Sequence, residues 1–452
     1  MQVSPARKFA FDILLKVQNV DAYASELLHA ETAGKISSAD HGLATELVMG
    51  VLRWRSLLDG KIAHHSSLNL PKLDAEVLTA LRMAAYQLSF LDRIPKHAVV
   101  HESVELVRKA RKRSAVPFAN AVLRKMAESA NNRGHHSAAR AQNIGTAQEL
   151  SQEFAHPLWL AERWVQAFGL ATTQMVCQHD QTVPETCIRF GAATEAEKLV
   201  DELEREHVKL TSGRLLNSAR YVESGDITAT SAFREGRLTI QDEGSQLVAL
   251  LVGLGANILD CCAAPGGKTR VLAERNPAAA IIAAELHPHR ARLLQRLVTA
   301  ENVRVVTADI LNFPVERLFD RVLADVPCSG TGTLARHPEI KWRLKKEDQL
   351  ELQARQAAIL KAAMKHVAAG GRLIYSTCSL EPEENSAVVE LALTENPTFR
   401  IVDCRLELER MRTARELAWP DIDSLLSGPY LRTIPGVHPC DGFFAAILEK
   451  SA

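Results

Sequence analysis

LDCCAAPGGKT, residues 259 to 269, ends a short β-forming run and leads straight into a helical stretch. In an open parallel sheet a ligand sits beyond the carboxyl ends of the strands, and small residues there let it approach the backbone. Short β-rich runs surround this junction: Asn257 to Cys261, Ala280 to Glu285, Val303 to Thr307, Arg321 to Val326 and Arg372 to Ser376. Between them HPHRARLLQRLVTA (287–300) and KKEDQLELQARQAAILKAAMKHVAAGG (345–371) carry helical periodicity, the second with a glycine stop. The alternation predicts βαβ units and a parallel sheet covered on both faces, an α/β Rossmann-like domain over 238–452. GKT is present, but the first glycine of a P-loop would fall at Cys262, and no GxGxxG exists. The turn therefore points away from a nucleoside triphosphate or a conventionally bound dinucleotide.

Working outward, the amino-terminal part reads as helices. Ser4 and Pro5 form a helix start, and Ala6, Phe9, Ala10, Ile13, Leu14 and Val17 recur on one face. Leu43, Leu47, Val51, Trp54 and Leu58 repeat the period, as do stripes through Val77, Val104 and Phe118. An all-α domain over 1–130 follows. NNRGHHSAARAQNIGTAQE then loses periodicity and reads as a linker, 131–150. Over 151–237 the patterns mix, with HPLWLAERWVQAFG as a helix and CIRFGA as a strand, which predicts a small α+β module.

Composition bounds the function. The 452 residues carry 46% hydrophobic and 24% charged side chains, ordinary for a folded globular chain. Eight cysteines in such a length make no disulfide framework, and no CxxC spacing suggests zinc, so no metal is expected. The amphipathic start MQVSPARKFAFDILLKV fails as a signal peptide, and the longest apolar run, Leu247 to Leu259, is too short to span a bilayer. A cytoplasmic protein without membrane attachment is expected, with a monomer as the default. Net charge is zero, yet residues 1–135 hold 19 Lys plus Arg against 13 Asp plus Glu, a surplus of 6. Arg108, Lys109, Arg111, Lys112 and Arg113 concentrate it, as a nucleic-acid footprint or a solvated helix face.

Chemistry gathers at the strand ends. Glu285 ends the second run, where a carboxylate can accept from ribose hydroxyls, and Asp309 follows the third, where it can meet an adenine edge. An adenosine-bearing cofactor satisfies both. The fourth run leads into ADVPCSGTG (324–332) and the fifth into YSTCS (375–379), each with a cysteine past the sheet on the edge that carries the glycine turn. Carbon 5 of a pyrimidine is a poor nucleophile; a thiolate adding at carbon 6 makes it enamine-like and able to accept a methyl group. Residue pattern alone leaves open which cysteine attacks, since DNA cytosine methyltransferases use a PC cysteine.

CAAPGGKT (262–269), DVPCSGTG (325–332), RHPEIKW (336–342), STCS (376–379) followed by LEPEEN, and DGFFAA near the end resemble the bacterial RsmB (Fmu/Sun) family of 16S ribosomal RNA cytosine-C5 methyltransferases, within the wider Sun-like group. The resemblance covers nearly the whole chain, and FANAVLRKM (118–126) is similar to the NusB-type RNA-binding domain of that branch. It implies a class I methyltransferase domain using S-adenosylmethionine. Cys262, Ala263, Ala264, Pro265, Gly266, Gly267 and Lys268 would line the methionine and ribose part, with Glu285 at the ribose hydroxyls and Asp309 at the adenine. Asp325 would sit near cofactor and base, Cys378 would be the nucleophile, and Cys328 would assist breakdown of the adduct. Arg336 and Lys341 are candidates for holding phosphate or the target nucleotide. The base must be unpaired or flipped to be reached. Against relatives with an Arg-Val-Asn core, this chain reads CIRFGAATEAE. Two other readings compete: the same chemistry on transfer RNA, and a NusB-like RNA-binding protein whose Rossmann domain is silent.

Overall fold

The short β-rich runs do form one sheet, seen in a computed structural model that describes residues 3–19, 22–32, 36–129, 144–191 and 195–452. The chain divides into two units, Met1–Val183 with Leu334–Arg343, and Pro184–Thr333 with Leu344–Ala452.

The first unit is helical. Pro5–Asn19, Ser38–Arg53, Ala75–Phe90, Lys96–Lys109 and Val116–Ser129 enclose a core that includes Ala10, Ile13, Leu14, Leu47, Leu58, Leu81, Val107 and Val122, as the apolar stripes require. The linker expected over 131–150 lies outside the described residues as far as residue 143. Its end is ordered: Thr146 and Glu149 form a capping box on the helix Ala147–Glu153. Leu158–His179 follows, kinked where Gly169 adopts φ 80°. Both helices belong to the first unit, so the small module begins at Pro184 and not at 151. The segment Leu334–Arg343, placed by sequence in the methyltransferase domain, also joins the helical unit. Side-chain to main-chain bonds explain why: Arg53 donates to the Ala335 carbonyl, Trp342 Nε1 to that of Leu52, and Arg343 to those of Val17 and Ala22.

In the second unit, β1 (Cys187–Phe190), β2 (Lys209–Ser212), β3 (Ala219–Ser224) and β4 (Leu238–Ile240) form an antiparallel sheet in the order β2-β3-β1-β4. Leu199 and Leu203 of the helix Ala196–Arg205 pack on it beside Ile188 and Leu238. Glu243, buried at the start of the helix Glu243–Leu251, fixes this module to the rest of the unit. It accepts from the amides of Arg214, Leu215 and Leu216 and from the Tyr221 hydroxyl.

The larger sheet contains β5 (Asn257–Asp260), β6 (Ala280–Glu285), β7 (Val303–Thr307), β8 (Phe319–Asp325), β9 (Val367–Thr377), β10 (Phe399–Val402), β11 (Leu426–Ser427), β12 (Tyr430–Arg432) and β13 (Phe444–Lys450). Its order is β11-β12-β13-β9-β8-β5-β6-β7, with β10 also paired to β13. The five expected runs are β5 to β9, all parallel. The carboxyl-terminal part differs from a purely parallel sheet: β13 runs antiparallel to β9 and β10, and it opens at Phe444, the second phenylalanine of DGFFAA. The expected glycine stop is also different. The helix ends at Lys365, and Gly370 and Gly371 lie inside β9, whose Val367 already pairs with Phe319.

Candidate active site

Strand order creates the site. β8 and β9 are parallel neighbours in a register that sets Asp325 opposite Ser376. The chain leaves both strands at the same edge, so Cys328, three residues past Asp325, and Cys378, two past Ser376, arrive side by side with Sγ atoms 3.1 Å apart. Both are half-buried. The Cys378 amide donates to Cys328 Sγ at 3.3 Å. The hydrogen bond shared with Cys378, and then burial, push the Cys328 thiol well above its ordinary range.

Asp325 ends β8 with both carboxylate oxygens engaged. Oδ2 receives Lys268 Nζ at 2.7 Å and Oδ1 the Ser376 hydroxyl at 2.7 Å. Burial acts to lower the Lys268 pKa, but the charge and hydrogen bond of Asp325, with negative charge at Cys378 and Asp260, outweigh it and hold the ammonium above its usual range. Lysine of the glycine turn and carboxylate of the PC loop thus form one charged pair across adjacent strands, as β5 also pairs with β8.

The turn after β5 is shaped for close approach. Gly266 has φ 114°, and a side chain there would strike Leu294 and Val298 at 2.7 Å. The helix Gly267–Arg275 starts at once. Asp260 at the end of β5 accepts from Thr269 Oγ1 at 2.7 Å, and burial raises its pKa to about 7. Burial likewise pushes the Cys261 and Cys262 thiols up, and for neither is a neighbouring cation the largest influence. Glu285 closes β6, accepting from the His287 amide at 2.9 Å, and Asp309 caps the short turn Ile310–Asn312 beyond β7. The donor set fits an adenosine-bearing cofactor. A glycine turn exposes backbone at β5, and carboxylates able to take the two ribose hydroxyls and an adenine amine follow on the next two strands.

The structure brings together Cys328, Cys378, Asp325 and Lys268, and it places residues 262 to 267, Glu285 and Asp309 at the ends of β5, β6 and β7. Arg336 and Lys341 fall in the helical unit. Lys341 is only 1% exposed. Burial pulls its pKa down to about 7 against the opposing charge of Asp180, so a phosphate-binding role is corrected to that of an interior side chain. Within the basic run, Arg108 pairs with Glu105 on the helix Lys96–Lys109, and Lys112, in the turn beyond it, pairs with Asp74.

A set of buried polar residues around the cysteines went unassigned in the sequence. Glu384 accepts from the Ser329 amide at 2.8 Å, from Gln356 Nε2 at 2.7 Å and from Ser379 Oγ at 2.6 Å. Asn385 takes the Thr377 hydroxyl at 2.5 Å and donates to the Ser379 carbonyl at 2.9 Å. Their signal was present in LEPEEN, where charged residues directly follow a strand-end motif.

A mixed sheet whose parallel strands carry this cofactor edge, with a thiol pair beside the Lys268–Asp325 ion pair, is that of an S-adenosylmethionine-dependent methyltransferase, here carrying a helical amino-terminal domain. The profile of the 16S rRNA methyltransferase RsmB/F family matches residues 249–449, and that of the NusB family residues 4–128. The chain is 29% identical over 463 residues to the probable ribosomal RNA small subunit methyltransferase B of Bacillus subtilis, covering 100% of each. It is 31% identical to the Synechocystis protein of the same name, covering 99% of each. A methyltransferase homolog protein from Pyrococcus horikoshii shares the fold over 68% of this chain and all of its own, with TM-score 0.56 at 24% identity. The chain belongs to the RsmB/F family of 16S rRNA methyltransferases.

Proposed function

We propose that the protein methylates carbon 5 of one cytosine in small-subunit ribosomal RNA through a covalent cysteine adduct. The observation that carries this reading is the Cys328–Cys378 pair, 3.1 Å apart beside the Lys268–Asp325 ion pair at the sheet edge. S-adenosylmethionine supplies an electrophilic methyl group on a sulfonium. Gly266, Gly267, Glu285 and Asp309 would hold it, and Asp325 would hydrogen-bond the flipped cytosine.

Cys378 forms a bond from its sulfur to carbon 6, and the electron pair displaced toward carbon 5 takes the methyl group. The proton at carbon 5 then leaves to a base, and its bonding pair re-forms the ring double bond as the Cys378 sulfur departs. Cys328 serves this second half. Its sulfur lies 3.1 Å from that of Cys378, and the hydrogen bond between them, then burial, raise its thiol.

The test is tritium transfer from labelled S-adenosylmethionine to in vitro transcribed small-subunit rRNA, with a transfer RNA pool in parallel and bisulfite mapping of the product. Label at a single rRNA cytosine is expected. Label in transfer RNA alone would overturn the substrate, and label that bisulfite does not place at a cytosine would overturn the chemistry.

A further inference from the structure

Resting on the two-cysteine reading above, we infer that Glu384 is a positioning residue that sets the separation of Cys328 and Cys378. Cys328 lies between Pro327 and Ser329. The Pro327 carbonyl accepts from Gln356 Nε2 at 3.1 Å, and the Ser329 amide donates to Glu384 at 2.8 Å. The same Gln356 nitrogen donates to Glu384 at 2.7 Å, so both peptide groups flanking Cys328 report to one carboxylate.

Cys378 is held in the same way. It lies between Thr377 and Ser379; the Ser379 hydroxyl donates to Glu384 and the Thr377 hydroxyl to Asn385, the next residue. The Gly332 amide then donates to the Cys378 carbonyl at 2.9 Å, tying the two loops once more at a glycine whose added side chain would strike the Gly442 carbonyl at 2.2 Å. Glu384 and Gln356 are fully buried and Asn385 is 6% exposed. The Tyr375 hydroxyl donates to the Glu384 carbonyl at 2.6 Å, so the backbone of Glu384 is fixed to β9 as well.

A carboxylate suits this post because every group it meets is a donor. It offers acceptor sites only, and it joins a main-chain amide of one loop to a hydroxyl of the other with no proton in conflict. Glutamine at this position has the same shape but turns one end into a donor, which must face the Ser329 amide, Gln356 or Ser379. One loop then shifts, and the sulfur pair opens. Glu384 touches neither sulfur, so its effect travels through the loops.

The test reads the sulfur separation without RNA. Phenylarsine oxide condenses with two neighbouring thiols, forming two As–S bonds and releasing one water. Intact-mass titration of the full-length wild-type protein should show one tight equivalent that both Cys328→Ala and Cys378→Ala abolish. Glu384→Gln should weaken that equivalent at least tenfold, and in single-turnover methylation it should lower the maximal rate while the KM for RNA and for S-adenosylmethionine stay unchanged. Ser379→Ala, a smaller change, should show the same defect to a lesser degree and decides the matter if Glu384→Gln does not fold. Wild-type arsenical affinity in a folded Glu384→Gln, or failing that in Ser379→Ala, overturns the inference. An arsenical defect with no RNA methylation by the wild type would leave the positioning role standing and refute the proposed reaction instead.

Discussion

Asp260→Asn tests how the cofactor edge is charged. Asp260 is 1% exposed at the end of β5, and burial raises its carboxyl to about 7. An unfolded aspartate titrates near 3.9, so the difference is roughly three units, at most about 4 kcal/mol at 1.36 kcal/mol per unit. The folded protein holds a proton that the unfolded chain has released between about pH 4 and pH 7, so this residue lowers stability as pH rises through that window and adds no further change above it. Asparagine keeps an oxygen for the Thr269 hydroxyl and has no charge to bury. The variant is therefore expected to gain stability over wild type, by about 1.5 kcal/mol near pH 5 and about 4 kcal/mol near pH 8. Amide hydrogen exchange of residues 257–260, compared at equal pH in both proteins, reads this as a protection ratio rising by roughly a hundredfold across the range. A ratio that stays flat with pH, or a variant less protected near pH 8, would refute the reasoning and show that Asp260 is ionised and satisfied in the fold.

Lys268→Met removes the cation of an ion pair whose side chains are 14% and 25% exposed and leaves Asp325 with Ser376 alone. Single-turnover methylation should slow by roughly a hundredfold, about 2.7 kcal/mol in the barrier; an unchanged rate would remove this pair from the mechanism. For Lys341→Met the sign is opposite to that of Asp260. Its folded pKa, near 7, lies below the value near 10.4 of an unfolded lysine, so the wild type gains stability as pH climbs from about 7 to about 10. The variant should stabilise the helical unit by up to about 4 kcal/mol near pH 6, in hydrogen exchange of residues 158–179, and leave the salt dependence of RNA binding as it was. A reduced salt slope would restore Lys341 to the RNA interface.

Much of this was legible in the chain because the parallel strands coincide with β-forming runs bounded by turn residues. All five runs reappear within a few residues of their expected ends, and the helical stripes became the buried face of the first unit. Legibility failed where long-range pairing decides. Nothing local in YSTCS says that its strand lies beside that of ADVPCSGTG, so the 3.1 Å approach of the sulfurs emerges only from the β8–β9 register. RHPEIKW carries cationic residues that suggest a nucleic-acid contact, yet Trp342 and Arg343 bond to main-chain carbonyls of the helical unit and Lys341 is interior. HPLWLAERWVQAFG reads as a helix as far as Gly169, yet the helix continues past the kink there to His179 and falls in the helical unit, since amphipathic period does not name the partner of an apolar face. Glu384 was hidden for another reason: a buried carboxylate in an acidic stretch looks like a solvated one until its donors are seen.

The most direct measurement of the central claim uses Cys328→Ala with small-subunit rRNA and S-adenosylmethionine, quenched, digested and read by mass spectrometry. A trapped protein–RNA adduct is expected in which the peptide containing Cys378 carries a methylated cytosine, absent when Cys378→Ala is combined with it. Methylated RNA released with no adduct at any time, or an adduct that persists in the double variant, would contradict it.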